Sequence, residues 1–219
     1  MSHPLRIKVC GLARTQDISQ AISLGADYCG VIVFEKSPRA VSAERACCLS
    51  AEIPDGKRVL VDVSPSAERL AAHQRLGFNF YQIHFDPDRV PPALVKDWSR
   101  IVGRSALWLS PHVSNSALFP EYLFELADTF VVDTYRPGIY GGTGQTGNWR
   151  YFGRMKEAFP KTNWILAGGL TSENVAIALA QSKADIVDVN SGVESSPGCK
   201  DPAKLAAFFA EARSPADPS

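Results

Sequence analysis

Lys8 and Cys10 stand two residues apart in the run Arg6-Ile7-Lys8-Val9-Cys10-Gly11, which reads as a short strand ending on a thiol and a glycine. Side chains alternate faces along a strand, so Ile7 and Val9 share one side while the lysine and the thiol leave on the other. A strand-end cysteine is commonly a small buried hydrophobe, and it can also be a base. As a base it must be partly thiolate near neutral pH, and the free value of about 8.5 leaves only a small fraction in that form. Lys8 could supply the charge that stabilises the anion. Equally, it could pair with an inward carboxylate such as Asp62 or Asp188 and only brace the interior.

Other polar residues stand at the ends of apolar runs. Ser37-Pro38-Arg39 follows one run, Asp62 lies in another, Gln82-Ile83-His84 ends a third and Asp133-Thr134 closes a fourth. Ala167-Gly168-Gly169-Leu170-Thr171 and Asn190-Ser191-Gly192-Val193-Glu194 are glycine turns. Their backbone N–H groups suit a phosphate dianion, although tight turning alone would also call for glycine. Gly138-Ile139-Tyr140-Gly141-Gly142-Thr143-Gly144-Gln145-Thr146-Gly147 is long and glycine-rich, as a mobile lid would be.

The elements that must position these groups can be read from the same chain. Its 219 residues suit one domain or at most two, and 45% hydrophobic with 21% charged residues is ordinary for a globular protein. Lys plus Arg and Asp plus Glu number 23 each, so the overall charge favours neither nucleic acid nor a membrane surface as a partner. No run reaches membrane-spanning length, the first residues lack a signal-peptide core, and the expected compartment is the cytoplasm. Cys10, Cys29, Cys47, Cys48 and Cys199 form no C-x-x-C pair and have no histidines at ligand spacing, so reduced thiols are expected rather than a zinc site.

Apolar runs at Ile7–Val9, Tyr28–Val33, Arg58–Val63, Phe80–His84, Ala106–Leu109, Thr129–Asp133, Trp164–Ala167 and Ile186–Val189 are expected as strands. Between them, helical spacing predicts a helix capped by Thr15 and stopped at Gly25, then Ala43–Ser50, Ser66–Leu76, Pro92–Trp98, Ala117–Ala127, Arg150–Phe159, Ser172–Gln181 behind a Thr171 cap, and Pro202–Arg213. Two-sided apolar strands alternating with amphipathic helices indicate an α/β protein with a covered parallel sheet. Eight such units without a break favour a single-domain (βα)8 TIM barrel over an open doubly wound sheet, whose glycine fingerprint Gly11-Leu12-Ala13 does not supply. The barrel is expected over residues 1–213, with a disordered tail over 214–219. In this barrel chemistry sits at the C-terminal strand ends, and the loops after strands seven and eight recurrently bind phosphate, which is where the polar residues and glycine turns fall.

On these residues the chain resembles the phosphoribosylanthranilate isomerase family. The likeness runs from Lys8-Val9-Cys10-Gly11 to Pro197-Gly198-Cys199-Lys200-Asp201 and takes in Ser37-Pro38-Arg39-Ala40-Val41, Val132-Asp133-Thr134, Gly141-Gly142-Thr143-Gly144, Leu166-Ala167-Gly168-Gly169-Leu170 and Asp188-Val189-Asn190-Ser191-Gly192-Val193-Glu194. The resemblance implies an Amadori rearrangement in tryptophan biosynthesis, aminoaldose to aminoketose, with no cofactor and no metal. It implies Cys10 as the general base at C2, Asp133 as the general acid at the furanose ring oxygen, and Arg39 on the anthranilate carboxylate. It also implies Gly142 and Gly144 in a substrate-binding lid, Gly168, Gly169, Ser191 and Gly192 on the phosphate, and Asp188 on ribose hydroxyls. His84 and His112 are alternative acids or bases. The expected partner is a small phosphorylated substrate, and the expected assembly is a monomer or homodimer. The chain departs from the family at Phe85 after the strand-four Gln and His, at Gly147-Asn148-Trp149 closing the lid, and at Asn190 in place of serine. The alternatives are a related aminoaldose isomerase of the histidine pathway, which carries aspartate where Cys10 stands, and a catalytically silent phosphate-binding barrel, which would have no use for Cys10, Asp133 and Arg39.

Overall fold

β-Branched runs buried on both faces can only satisfy their backbone groups by pairing with one another, and here they do so in chain order. The computed structural model describes residues 4–112, 119–133 and 149–214. Strands β1 (Arg6–Val9), β2 (Tyr28–Ile32), β3 (Arg58–Val63), β4 (Phe80–Phe85), β5 (Leu107–Pro111), β6 (Thr129–Asp133), β7 (Asn163–Ala167) and β8 (Ile186–Val189) form a closed parallel barrel. β8 returns to β1 with Lys8 opposite Asp188. The expected glycine-rich lid, the residues at its start from Thr134, and the tail beyond Ser214 lie outside the described residues.

Helices α1 (Thr15–Ser23), α2 (Ala43–Glu52), α3 (Ala67–His73), α4 (Pro92–Val102), α5 (Trp149–Ala158), α6 (Val175–Ser182) and α7 (Pro202–Arg213) pack around the strands. Three expectations need correction. Thr15 is not a cap: Arg14 holds the N-cap position without a side-chain bond, and its guanidinium instead pairs with Asp17 at 2.7 Å. α6 starts three residues later than the periodicity suggests, because the Asn174 amide bridges Thr171 N and Gly169 O, each at 2.9 Å, and holds that stretch as a turn. Of the helix expected over Ala117–Ala127, Ala117 and Leu118 lie outside the described residues, and the rest holds a 3-10 turn at Glu121–Glu125. Pro120 lacks an N–H and biases Phe119 away from helical backbone, so a helix through both would be broken. Phe119 and Phe124 instead pack on Phe130 and Trp164, with ring centroids 5.0 to 6.1 Å apart.

Two cores result. Ile7, Val9, Leu60, Ile83 and Val187 face outward against the helices, while Cys10, Val59, Val61, Trp108, Val131, Ile165 and Ile186 fill the interior. The interior is floored by Tyr28, Phe80 and Trp108, with Trp108 4.9 Å from Phe80 and 5.0 Å from Tyr28, and Arg6 Nη1 donates to the Tyr28 hydroxyl at 3.0 Å. Such edge-to-face and stacked rings close space densely. The side chains above that floor therefore look toward the C-terminal mouth.

Candidate active site

The alternation read from β1 holds in three dimensions: Ile7 and Val9 are in the outer core, and Lys8 and Cys10 point inward. Room for both comes from Gly30 on β2, where a Cβ would stand 3.0 Å from Cys10 Sγ and 3.1 Å from Lys8 Nζ. Lys8 is wholly buried and its ammonium lies 2.7 Å from Asp188 Oδ2. Asp188 Oδ1, also buried, meets no hydrogen-bond donor among the described residues.

Burial pulls the Lys8 ammonium down, but the charges of Asp188 and Cys10 outweigh it and hold the lysine above its ordinary value, so we read the pair as ionic. Burial pushes the Cys10 thiol up; Lys8 pulls it back, and Asp188 pushes it up again. Lys8 thus does both jobs considered for it, bracing Asp188 and easing the thiol. Asp62 plays no part in this. It points away from the interior into α3, where Arg69 Nε at 2.9 Å and His73 Nε2 at 3.0 Å hold it. Those bonds outweigh its burial and keep the carboxyl below its usual range.

Above Cys10 opens a pocket of about 590 Å3, within the usual range for a small-molecule site. Cys10, Arg39, Asp133, Gly168, Gly169, Asp188, Ser191 and Gly192 all line it, whereas Gly142 and Gly144 lie outside the described residues. Asp133 is exposed at the end of β6. Ile32, Phe34, Val61, Val63 and Val131 give the pocket an apolar wall. The lining that follows β7 and β8 is rich in glycine: Gly168 and Gly169 have φ of 99° and 63°, and a Cβ on Gly192 would overlap the Leu170 carbonyl oxygen.

His84 also lines the pocket, its Nε2 2.8 Å from the Gln82 amide. Burial, helped by the charges of Lys8 and His112, pushes it down to about 4, so it is neutral at physiological pH. The Gln82 Oε1 is buried and without a partner among the described residues. Gln82 is a pocket residue that sequence reasoning named but did not select, although its inward phase two residues from His84 could have marked it. His112 is exposed and absent from the pocket walls. Of the departures from the family pattern, Phe85 packs outward, 5.4 Å from the Trp98 ring, while Asn190 reaches the pocket.

Two further residues of this site were not singled out from sequence. Glu194 accepts from Arg39 Nε at 2.9 and 3.0 Å and from Arg39 Nη2 at 2.7 Å, and Lys200 Nζ donates to Glu194 at 2.9 Å. They sit on β9 (Glu194–Ser196) and β10 (Cys199–Lys200), a small antiparallel hairpin after β8.

The fold and the pocket together define a (βα)8-barrel protein of the class that handles small ligands at the C-terminal mouth. The family model described as N-(5'phosphoribosyl)anthranilate (PRA) isomerase matches residues 7–211. A Zymomonas mobilis protein of that name is 35% identical over 214 residues, covering 95% of this chain and 98% of its own. The crystal structure of phosphoribosyl anthranilate isomerase from Thermotoga maritima superposes with a TM-score of 0.80 at 29% identity, covering 95% of this chain and 98% of that one. Another, of the isomerase in complex with reduced 1-(o-carboxyphenylamino)-1-deoxyribulose 5-phosphate, gives 0.76 at 26% identity, covering 95% and 98%. The chain belongs to the N-(5'-phosphoribosyl)anthranilate isomerase family.

Proposed function

We propose that this protein rearranges N-(5-phosphoribosyl)anthranilate to 1-(2-carboxyphenylamino)-1-deoxyribulose 5-phosphate, a step of tryptophan biosynthesis. Family membership supports the reaction, and the observation that carries the mechanism is that Cys10, Asp133 and Arg39 line one pocket. Asp133 gives its proton to the furanose ring oxygen as the C1–O bond breaks and the nitrogen lone pair forms a C1=N bond. Cys10, as thiolate, then takes the C2 proton, and the electron pair moves into C1=C2 to neutralise the iminium nitrogen. The enolamine gains a proton at C1 and loses one from the C2 hydroxyl, giving the ketone. No oxidant or reductant enters, and the proton count closes on itself.

Binding groups follow the pocket's polarity. The glycine side takes the phosphate, where backbone N–H groups can approach without side-chain obstruction. The apolar wall takes the aryl ring, Arg39 the carboxylate, and the open Oδ1 of Asp188 a ribose hydroxyl. Residues 1–213 act as one barrel domain, as a monomer or homodimer in the cytoplasm. In support, all five cysteines are free thiols, no helix among the described residues is long and apolar enough to cross a membrane, and Ile177 is the one large apolar side chain exposed among them.

The test is consumption of phosphoribosylanthranilate, followed by loss of its fluorescence. The purified protein is expected to consume it, with Cys10→Ala and Asp133→Ala inactive. A protein that leaves the substrate untouched overturns the proposal.

A further inference from the structure

The Arg39 guanidinium is committed along one edge. Nε and Nη2 both go to the Glu194 carboxylate, and Nη1 donates to no described residue. Glu194 is buried, and its Oε1 also accepts from Gly198 N at 3.2 Å. The Lys200 ammonium, wholly buried, divides its protons among Glu194 Oε1 at 2.9 Å, Asn190 Oδ1 at 3.0 Å and Asn190 O at 3.1 Å. Every donor of that lysine is therefore matched.

The charge count of this group is unusual. An arginine held by a glutamate alone would be nearly neutral to an arriving anion. Here one carboxylate lies between two cations, which leaves a net charge of +1 beside the pocket. Burial pushes Glu194 up, but the bonds from Arg39 and Lys200 outweigh it and keep the carboxyl below its usual range. The free edge of Arg39, formed by Nη1 and the second hydrogen of Nη2, matches a carboxylate in a bidentate pair.

We infer that Glu194 is the positioning residue of an aryl-carboxylate subsite. It locks Arg39 so that only its end-on edge is offered to the ligand, and Lys200 preserves the positive charge that Glu194 would otherwise cancel. This rests on the function proposed above and adds to it the residues that set selectivity for the carboxylate. Its chain partners lie far apart in sequence: Arg39 follows β2, and Glu194 and Lys200 follow β8.

The experiment compares two ligands by calorimetry: reduced 1-(o-carboxyphenylamino)-1-deoxyribulose 5-phosphate and the same molecule with an unsubstituted phenyl ring. Wild type should prefer the carboxylate ligand, and Arg39→Ala should erase that preference. Glu194→Gln should weaken the carboxylate ligand about ten-fold while holding the phenyl ligand within about two-fold, with Glu194→Asp restoring part of the loss. Lys200→Gln, which leaves the Arg39–Glu194 pair in place, should shift affinity in the same selective way and serves if Glu194→Gln does not fold. Equal loss of both ligands, or no loss of either, in a folded variant assigns Glu194 a purely structural role and overturns the inference. Wild type that binds both ligands without preference overturns the inference alone, and wild type that binds neither overturns the functional proposal with it.

Discussion

The Lys8 ammonium and the Asp188 carboxylate lie 2.7 Å apart at directly opposed positions of β1 and β8, inside the barrel and beside the Cys10 thiol. The lysine therefore answers to two anions. Asp188 competes with the thiolate for it, and how the charge is shared sets how basic Cys10 can be.

Removing either partner should move the thiol in opposite directions. Asp188→Asn frees the lysine charge and should lower the pKa of Cys10, whereas Lys8→Met should raise it and cost about 3–5 kcal/mol of stability by stranding a buried carboxylate. Alkylation rate against pH, read on the Cys10 peptide by mass spectrometry, measures this apart from exposed Cys47 and Cys48. An identical titration in all three proteins would sink the idea.

Cys10→Ala and Asp133→Ala should each lower kcat by about a thousand-fold or more, with affinity for the reduced product analogue kept within about three-fold. Because burial holds the thiol above its ordinary value, the thiolate is scarce at neutral pH. The reaction needs that thiolate together with the protonated Asp133, so each pH unit that gains thiolate loses acid, and in wild type kcat/KM should run level through neutral pH. Stopped assays across that range decide it, and a near-normal kcat in either variant removes that residue from the mechanism.

His84 should make the fold acid-sensitive. Its folded value, pushed down to about 4, lies below the unfolded value of 6.5, so between them the unfolded chain binds a proton that the folded chain refuses. Stability is unaffected above the unfolded value and is lost as pH falls toward the folded one, by about 2 kcal/mol at pH 5. His84→Gln should flatten that part of the curve in urea titrations at pH 7 and pH 5. A slope equal to wild type would place the acid sensitivity elsewhere.

Gly192→Ala should damage the phosphate side of the pocket, since the added Cβ collides with backbone at Leu170 rather than with a yielding side chain. A loss of about 1–3 kcal/mol in stability and weaker binding of inorganic phosphate are expected. Thermal unfolding with and without phosphate reads both, and unchanged phosphate binding would detach this glycine from the anion.

The barrel was legible in the chain because its strands are apolar on both faces and bounded by turns, and Cys10 and Asp133 stand where such strands end. That same two-sided burial hides which way a polar residue points. Asp62 looks as inward as Asp188 on paper, yet Val59 and Val61 take the interior phase of β3 and send it to α3. The Ala117–Ala127 helix failed on local chemistry, since Pro120 was already visible within it. Glu194 and Lys200 failed for the opposite reason: the bond that ties them to the pocket, Arg39 to Glu194, spans 155 residues and leaves no local pattern.

The aromatic floor of Tyr28, Phe80 and Trp108 makes the barrel a cul-de-sac rather than a corridor. Whatever enters at the mouth must back out through it. Product and substrate therefore share that doorway and carry the same phosphate and carboxylate handles, so accumulated product is expected to compete with incoming substrate for it. Flux then depends on how quickly the next consumer clears the exit.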